Sequence, residues 1–197
     1  MKTHTKEFQD HLSPSDAITV LKEGNQRFVN NLKTQRNHLD LVNETSEGQH
    51  PFAVILSCID SRVPAELVFD QGLGDMFSAR VAGNIVNEDV LGSMEYGCKV
   101  AGSKLIVVMG HTKCGAVTSA CQGVELGNIT SLLAKIKPAV EASSNIEDVD
   151  AVAKLNVELT IERIQKESPI LKEMEDNGEI KIVGAMYSVE TGAVSFF

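Results

Sequence analysis

Short apolar runs alternate with longer amphipathic stretches along most of the chain. Phe52–Ser57, Met76–Val81 and Leu105–Met109 are compact runs that read as strands. Ile180–Tyr187 is a fourth such run. Thr191-Gly192 then turns the chain into Ala193–Phe197, which reads as a terminal hairpin or tail. Between these runs the period lengthens. Ser13-Pro14-Ser15-Asp16 predicts a helix start, with a capping serine, a first-turn proline and an acid three residues after the cap. Ile18, Leu21 and Phe28 then form a partial apolar stripe. Asn87 to Val100 reads as helical, carrying Val90, Leu91, Met94 and Tyr96. Ile129–Val140 reads as a helix interrupted by Pro138. Val152–Glu175 is a long helical stretch with Val152, Leu155 and Leu159 on one face and an interruption at Ser168-Pro169. Residues 33–50 are polar and read as a connection.

Strands alternating with helices predict an α/β fold, a mostly parallel sheet of about four strands flanked by helices. No repeat or linker divides the chain. Residues 1–197 are expected to form one domain, with residues 1–35 as an N-terminal helical arm.

Composition narrows the function. The 197 residues are 43% hydrophobic, enough for a sizeable core, and carry a formal net charge of −9. That acidity argues against nucleic acid and against an anionic membrane surface, both of which need clustered Lys and Arg. The first residues, MKTHTKEFQDHLSPSD, lack the apolar centre of a signal peptide. No apolar run approaches the roughly 18–20 residues of a membrane span. A cytoplasmic protein is expected. Its four cysteines, Cys58, Cys98, Cys114 and Cys121, are then poor candidates for a disulfide framework and better ones for metal ligation or a reactive thiol.

Chemistry concentrates where two apolar runs end. In open parallel sheets ligands collect beyond the carboxyl ends of strands. Cys58, Asp60 and Arg62 follow the first run, and GHTKCGAV at 110–117 follows the third. Taken alone, Cys58 reads as a core thiol, HxxC as a chance pair, and Asp60 with Arg62 as a surface ion pair. The alternative is a Cys₂His set, with soft thiolates and an imidazole that select zinc and leave one position open. Cys114 also stands at a predicted helix start, which favours its thiolate. Asp60, held by Arg62, then accepts a hydrogen bond from a zinc-bound hydroxide.

CIDSR at 58–62 together with HTKCG at 111–115 resembles the β-class carbonic anhydrases. The resemblance extends over most of the chain, through SDAITVLKEGNQRFV, DQGLGDMFSARVAGNIV, GSMEYG and GAMYSVETG. It implies that Cys58, His111 and Cys114 bind one zinc ion per subunit and that Asp60 and Arg62 form a catalytic dyad. The implied reaction is reversible hydration of CO₂ to bicarbonate and a proton. The implied assembly is a homodimer, or a dimer of dimers, with the N-terminal helix packed on the partner and the active sites at that interface. Zinc can bring the pKa of water to about 7. Two thiolates neutralise its formal charge, so activity is expected to rise on the alkaline side.

The family has two site styles. In one, the aspartate swings onto zinc as a fourth ligand, supported by a tryptophan and a glycine before the first cysteine. Ile55 and Ser57 occupy those two places, and the chain has no Trp. In the other, plant-like style, Gln, Phe and Tyr line the pocket, and Gln49, Phe77 and Tyr96 match them. An open site is therefore expected, with Gln49 reaching substrate across a dimer interface, Gly115 beside the substrate, and Asp60 closing onto zinc only at low pH. Read without the family, Gln49 is a loop residue and Phe77 and Tyr96 are core aromatics. Gly83-Asn84 is expected to shape the wall near the metal, and Gly72-x-Gly74 reads as a turn rather than a dinucleotide loop. Cys98 and Cys121 read as small buried hydrophobes. His4, His11, His38 and His50 are candidate proton shuttles with nothing to choose among them. Two rivals share these residues: a hydrolase of CO₂ analogues such as carbon disulfide or carbonyl sulfide, and a non-catalytic zinc or redox-sensing protein.

Overall fold

The computed structural model describes residues 3–197. In chain order the elements are α1 (Lys6–His11), α2 (Pro14–Val29), α3 (His38–Thr45), β1 (Ala53–Ser57), α4 (Ala65–Val68) and β2 (Met76–Arg80). A 3₁₀ turn at Ala82–Asn84 leads to α5 (Glu88–Glu95), which runs on into a π-helical turn at Tyr96–Val100. Then follow β3 (Leu105–His111), α6 (Gly115–Cys121), α7 (Gly127–Leu133), α8 (Lys137–Ala142), α9 (Val149–Glu167), α10 (Pro169–Asp176), β4 (Lys181–Tyr187) and β5 (Val194–Phe196).

The strands form a five-stranded sheet in the order β2-β1-β3-β4-β5. The first four are parallel, and β5 pairs antiparallel with β4. The sheet has five strands where about four are expected, because the tail after Thr191-Gly192 folds back as an edge strand. Every residue of β1 and β3 is buried, as central strands covered on both faces require. Their side chains alternate between two cores. Ala53, Ile55, Leu105, Val107 and Met109 meet Ala17 and Leu21 of α2 and Val68 of α4. Val54, Leu56, Ile106 and Val108 meet Met94 of α5, Val157 and Ile164 of α9, and Leu171 of α10.

The expected start of α2 is present as a full capping box between Ser13 and Asp16. Ala17 and Leu21 of this helix lie in the chain's own core, while Val29 at its end remains exposed. Pro138 sits in the first turn of α8 rather than inside one long helix, so 129–140 is two helices. Ser168 caps α10 with Pro169 at its first position, where the sequence predicts the break. The polar connection is corrected in part. Residues 38–45 are helical, capped by Asn37, with Leu41 as the buried anchor. One buried leucine on an otherwise exposed helix leaves almost no periodic signal.

What holds this connection is ionic. Asp70 is buried and accepts from Arg27 Nε at 2.6 Å, Arg36 Nη1 at 2.5 Å and Thr34 Oγ1 at 2.9 Å. Burial pushes the carboxyl up, but the bonds from Arg27, Arg36 and Thr34 outweigh it and bring its pKa down to about 2. Unfolded, the group titrates at about 3.9. Its contribution is therefore complete above that pH and is lost as pH falls through about 2. Asp70→Asn is expected to lower stability at neutral pH by about 2–3 kcal/mol, since two guanidiniums lose their anion and one of them keeps contact with water. Denaturant unfolding at pH 7 and pH 3 checks this, with a smaller difference at the acid pH.

Candidate metal centre

The site follows from strand register. Ser57, the last residue of β1, pairs with Met109 of the adjacent parallel β3. Cys58 therefore leaves the sheet beside the end of β3, where His111 stands, and neighbouring strands lie about 4.8 Å apart. After β3 the chain turns through Thr112 and Lys113 into α6, with Cys114 at its N-cap. The Sγ atoms of Cys58 and Cys114 and a ring nitrogen of His111 all lie within 4.8 Å of one another, and all three residues are buried.

His111 Nδ1 is 2.9 Å from Thr112 O. A carbonyl can only accept, so Nδ1 carries the proton and Nε2 presents a lone pair. Nε2 is buried without a hydrogen-bond partner. The two other orphaned buried side-chain polar atoms among the described residues, Ser57 Oγ and Asn84 Nδ2, belong to the residues beside Cys58 and Gly83. A buried lone pair within 4.8 Å of two thiols is unusual in a finished core, and two thiols with an imidazole are a donor set that would suit zinc.

The charge balance agrees. The Cys58 thiol is drawn down to about 4, first by a hydrogen bond from Cys114, against the opposing effect of burial, and further by His111 and the Gly83 amide. Cys114 is pushed the other way by that same bond and by burial, while backbone amides of Val117 and Ala116 oppose this. Two sulfurs this close share one proton unless a cation stands between them. Cys58 and Cys114 could both be ionised only if a divalent ion took the place of that proton. Burial favours neutral His111, but the nearby Cys58 sulfur, with Thr112 O and Asp60, holds its pKa above the usual value.

Asp60 and Arg62 border the same locus. Asp60 Oδ2 is 4.0 Å from His111 Nε2. Arg62 grips both carboxylate oxygens, Nε on Oδ1 at 2.9 Å and Nη2 on Oδ2 at 2.7 Å, and its backbone amide also donates to Oδ1 at 2.9 Å. The Arg62 fork holds the Asp60 carboxyl well below the ordinary range. Arg80 supports the loop, donating to Cys58 O at 3.1 Å and Asp60 O at 2.6 Å. Asp150 of α9 accepts from the Lys113 amide at 2.7 Å, fixing a residue with φ of 54° between the two ligands of the HxxC turn. Nothing in the local sequence marks Arg80 or Asp150, because each acts on backbone far away along the chain.

Gln49, Phe77 and Tyr96 are not brought to this locus within the chain. Gln49 lies in a cleft of about 370 Å³ with His4, Glu44 and Gly74, at the amino end of the sheet. Phe77 pairs with Val54, three positions before Ser57, or about 10 Å along the strand. With Tyr96, 6.4 Å away between ring centroids, it lines a separate cleft at the β2 edge. Tyr96 is exposed rather than core. Gly115 borders open space. Cys98 is a buried thiol whose pKa burial raises to about 12, whereas Cys121 is only half-buried. His4 stacks on Phe8 at 4.0 Å near Phe52.

Fold and site together define an α/β protein with a metal-competent Cys₂His centre at the carboxyl ends of parallel strands. The carbonic anhydrase family model matches residues 53–194. "Carbonic anhydrase 2" of Mycobacterium tuberculosis is 37% identical over 188 residues, covering 91% of each chain. Among solved structures, the β-carbonic anhydrase CafA of Aspergillus fumigatus superposes with a TM-score of 0.73 at 26% identity, over 93% of this chain and 89% of that one. A chain from the structures of two tetrameric β-carbonic anhydrases of Sordaria macrospora gives a TM-score of 0.70 at 24% identity, with 98% of this chain and 98% of that one covered. The chain belongs to the carbonic anhydrase family, in its β class.

Gly83 lies against this centre with φ of 69°, and a Cβ there would meet Ile136 Cδ1 at 2.5 Å. Gly83→Ala is expected to cost about 1–2 kcal/mol from the left-handed backbone alone, read as a lower thermal midpoint.

Proposed function

We propose that this chain hydrates carbon dioxide reversibly to bicarbonate and a proton, using one zinc ion per chain held by Cys58, His111 and Cys114. The observation that carries the proposal is the buried, unpartnered His111 Nε2 beside two buried thiols. When bound there, zinc supplies Lewis acidity that makes water a nucleophile near neutral pH. The protein's part is orientation. Thr112 O fixes the His111 tautomer, and Arg62 fixes Asp60. The ionised Asp60 carboxylate, with only acceptor atoms, takes a hydrogen bond from the attacking water and so directs its lone pair at the carbon of CO₂. Both Asp60 oxygens are held by Arg62. This supports an open, plant-like site in which Asp60 reaches the metal only after leaving Arg62, as at low pH. Gly115 leaves room beside the ligands for substrate.

The second element of the proposal is assembly. Gln49, Phe77 and Tyr96 act on the partner's site, within a homodimer or a dimer of dimers. Their distance from this chain's own ligands supports that arrangement. So does β2, a sheet edge whose outer side pairs with no strand among the described residues and is a ready surface for another copy. Residues 1–35 serve as the arm that meets the partner, with exposed Val29 and Leu32 as its free apolar groups. The whole chain, 1–197, works as one unit. Its unbridged cysteines favour the cytoplasm. No helix among the described residues is long and apolar enough to cross a membrane.

Stopped-flow CO₂ hydration with metal analysis tests the chemistry. The expected result is stoichiometric zinc, a rate that climbs towards alkaline pH, and a loss on the order of 10²-fold in Asp60→Asn with zinc retained. Zinc-loaded wild-type protein that fails to turn over CO₂ across the alkaline range overturns the proposal. The assembly is tested by complementation. Gln49→Ala and Cys58→Ser are each expected to be nearly inactive, and refolding the two together is expected to restore activity, because one hybrid site is then intact. A mixture no better than its components removes the cross-subunit role.

A further inference from the structure

Asn156 stands in the middle of α9, on a face otherwise made of Val152, Ala153, Val157, Thr160 and Ile164. It is 2% exposed. Asparagine is a poor mid-helix residue, and a buried amide needs partners. Its Nδ2 donates to Gly83 O at 2.9 Å, across 73 residues of sequence. On the other side of the same α-carbon, Gly83 N donates to Cys58 Sγ at 3.4 Å. Gly83 holds φ of 69° inside the 3₁₀ turn, a conformation with little intrinsic preference in glycine. Something outside the turn must therefore keep the amide on the sulfur.

We infer that Asn156 is a positioning residue of the metal centre, clamping the 82–84 turn so that the Gly83 amide stays hydrogen-bonded to Cys58. An amide donor on a ligating sulfur withdraws some of its charge and fixes its direction, as partners of metal ligands generally do. The inference rests on the zinc site proposed above. It assigns Asn156 a role that acts through the sulfur and goes beyond filling space between α9 and the sheet.

The test uses the full chain loaded with cobalt(II) or zinc. Without the clamp the amide leaves Cys58, the sulfur lone pair rises in energy, and the sulfur-to-cobalt charge-transfer band moves to longer wavelength. Asn156→Ala is expected to show that shift and to hold zinc about 10-fold more weakly in chelator competition. A folded Asn156→Ala with band position and zinc affinity equal to wild type overturns the inference, even if its thermal midpoint falls, since that is all a packing role predicts. If Asn156→Ala does not fold, Asn156→Leu decides by the same two readouts, because an apolar side chain of nearly the same shape fills the space but cannot donate to Gly83 O. A wild-type chain that takes up neither metal removes the zinc proposal itself. Wild-type uptake with an indifferent Asn156 variant removes only the clamp.

Discussion

The parallel register between β1 and β3 is the constraint on which the rest depends. Ser57 faces Met109 across the pair, so the next residue of one strand and the last residue of the other meet at one pole of the sheet. A one-residue slip would turn every inward side chain of β1 to the opposite core. It would also carry Cys58 away from His111. The fully buried alternation of Ala53, Val54, Ile55 and Leu56 between two apolar cores thus fixes the register by packing, and the metal-competent geometry comes with it.

The second constraint is charge. Two buried sulfurs and a carboxylate converge at a point where His111 presents a lone pair, not a proton. The surroundings answer with donors: Arg62 on Asp60, the Gly83 amide on Cys58, and backbone amides near Cys114. These do not neutralise both sulfurs, so the pair holds a proton in the absence of a cation. Helix α9 supports the locus from behind, through Asp150 on the Lys113 amide and Asn156 on Gly83 O. A helix packed along β3 reaches turns on both sides of the ligands while its own backbone remains satisfied.

Much of the fold was legible in the sequence. The runs that became β1 and β3 were visible because strands buried on both faces leave continuous apolar signals, and those of β2 and β4 because they are short and bounded by turn residues. The α2 and α10 starts were visible because serine caps and first-turn prolines are local chemistry. Helix α3 was not, since Leu41 alone anchors it. The edge strand β5 was ambiguous, because three residues with mixed exposure read equally as a tail. The Asp70 network was invisible too, for Arg27, Arg36 and Thr34 converge on it from different segments.

By itself the sequence determined which residues could carry the chemistry. A thiol, a carboxylate and a guanidinium at alternating positions after one run, with HxxC after another, name the donor set, because side-chain type and local spacing are properties of the chain. Only the tertiary structure decided that these groups share one locus, that His111 presents Nε2 rather than Nδ1, and that Gln49, Phe77 and Tyr96 lie away from it. The physical reason is that strand order and register set distances between residues remote in sequence. Those distances come from packing two cores against a sheet, which no local pattern encodes.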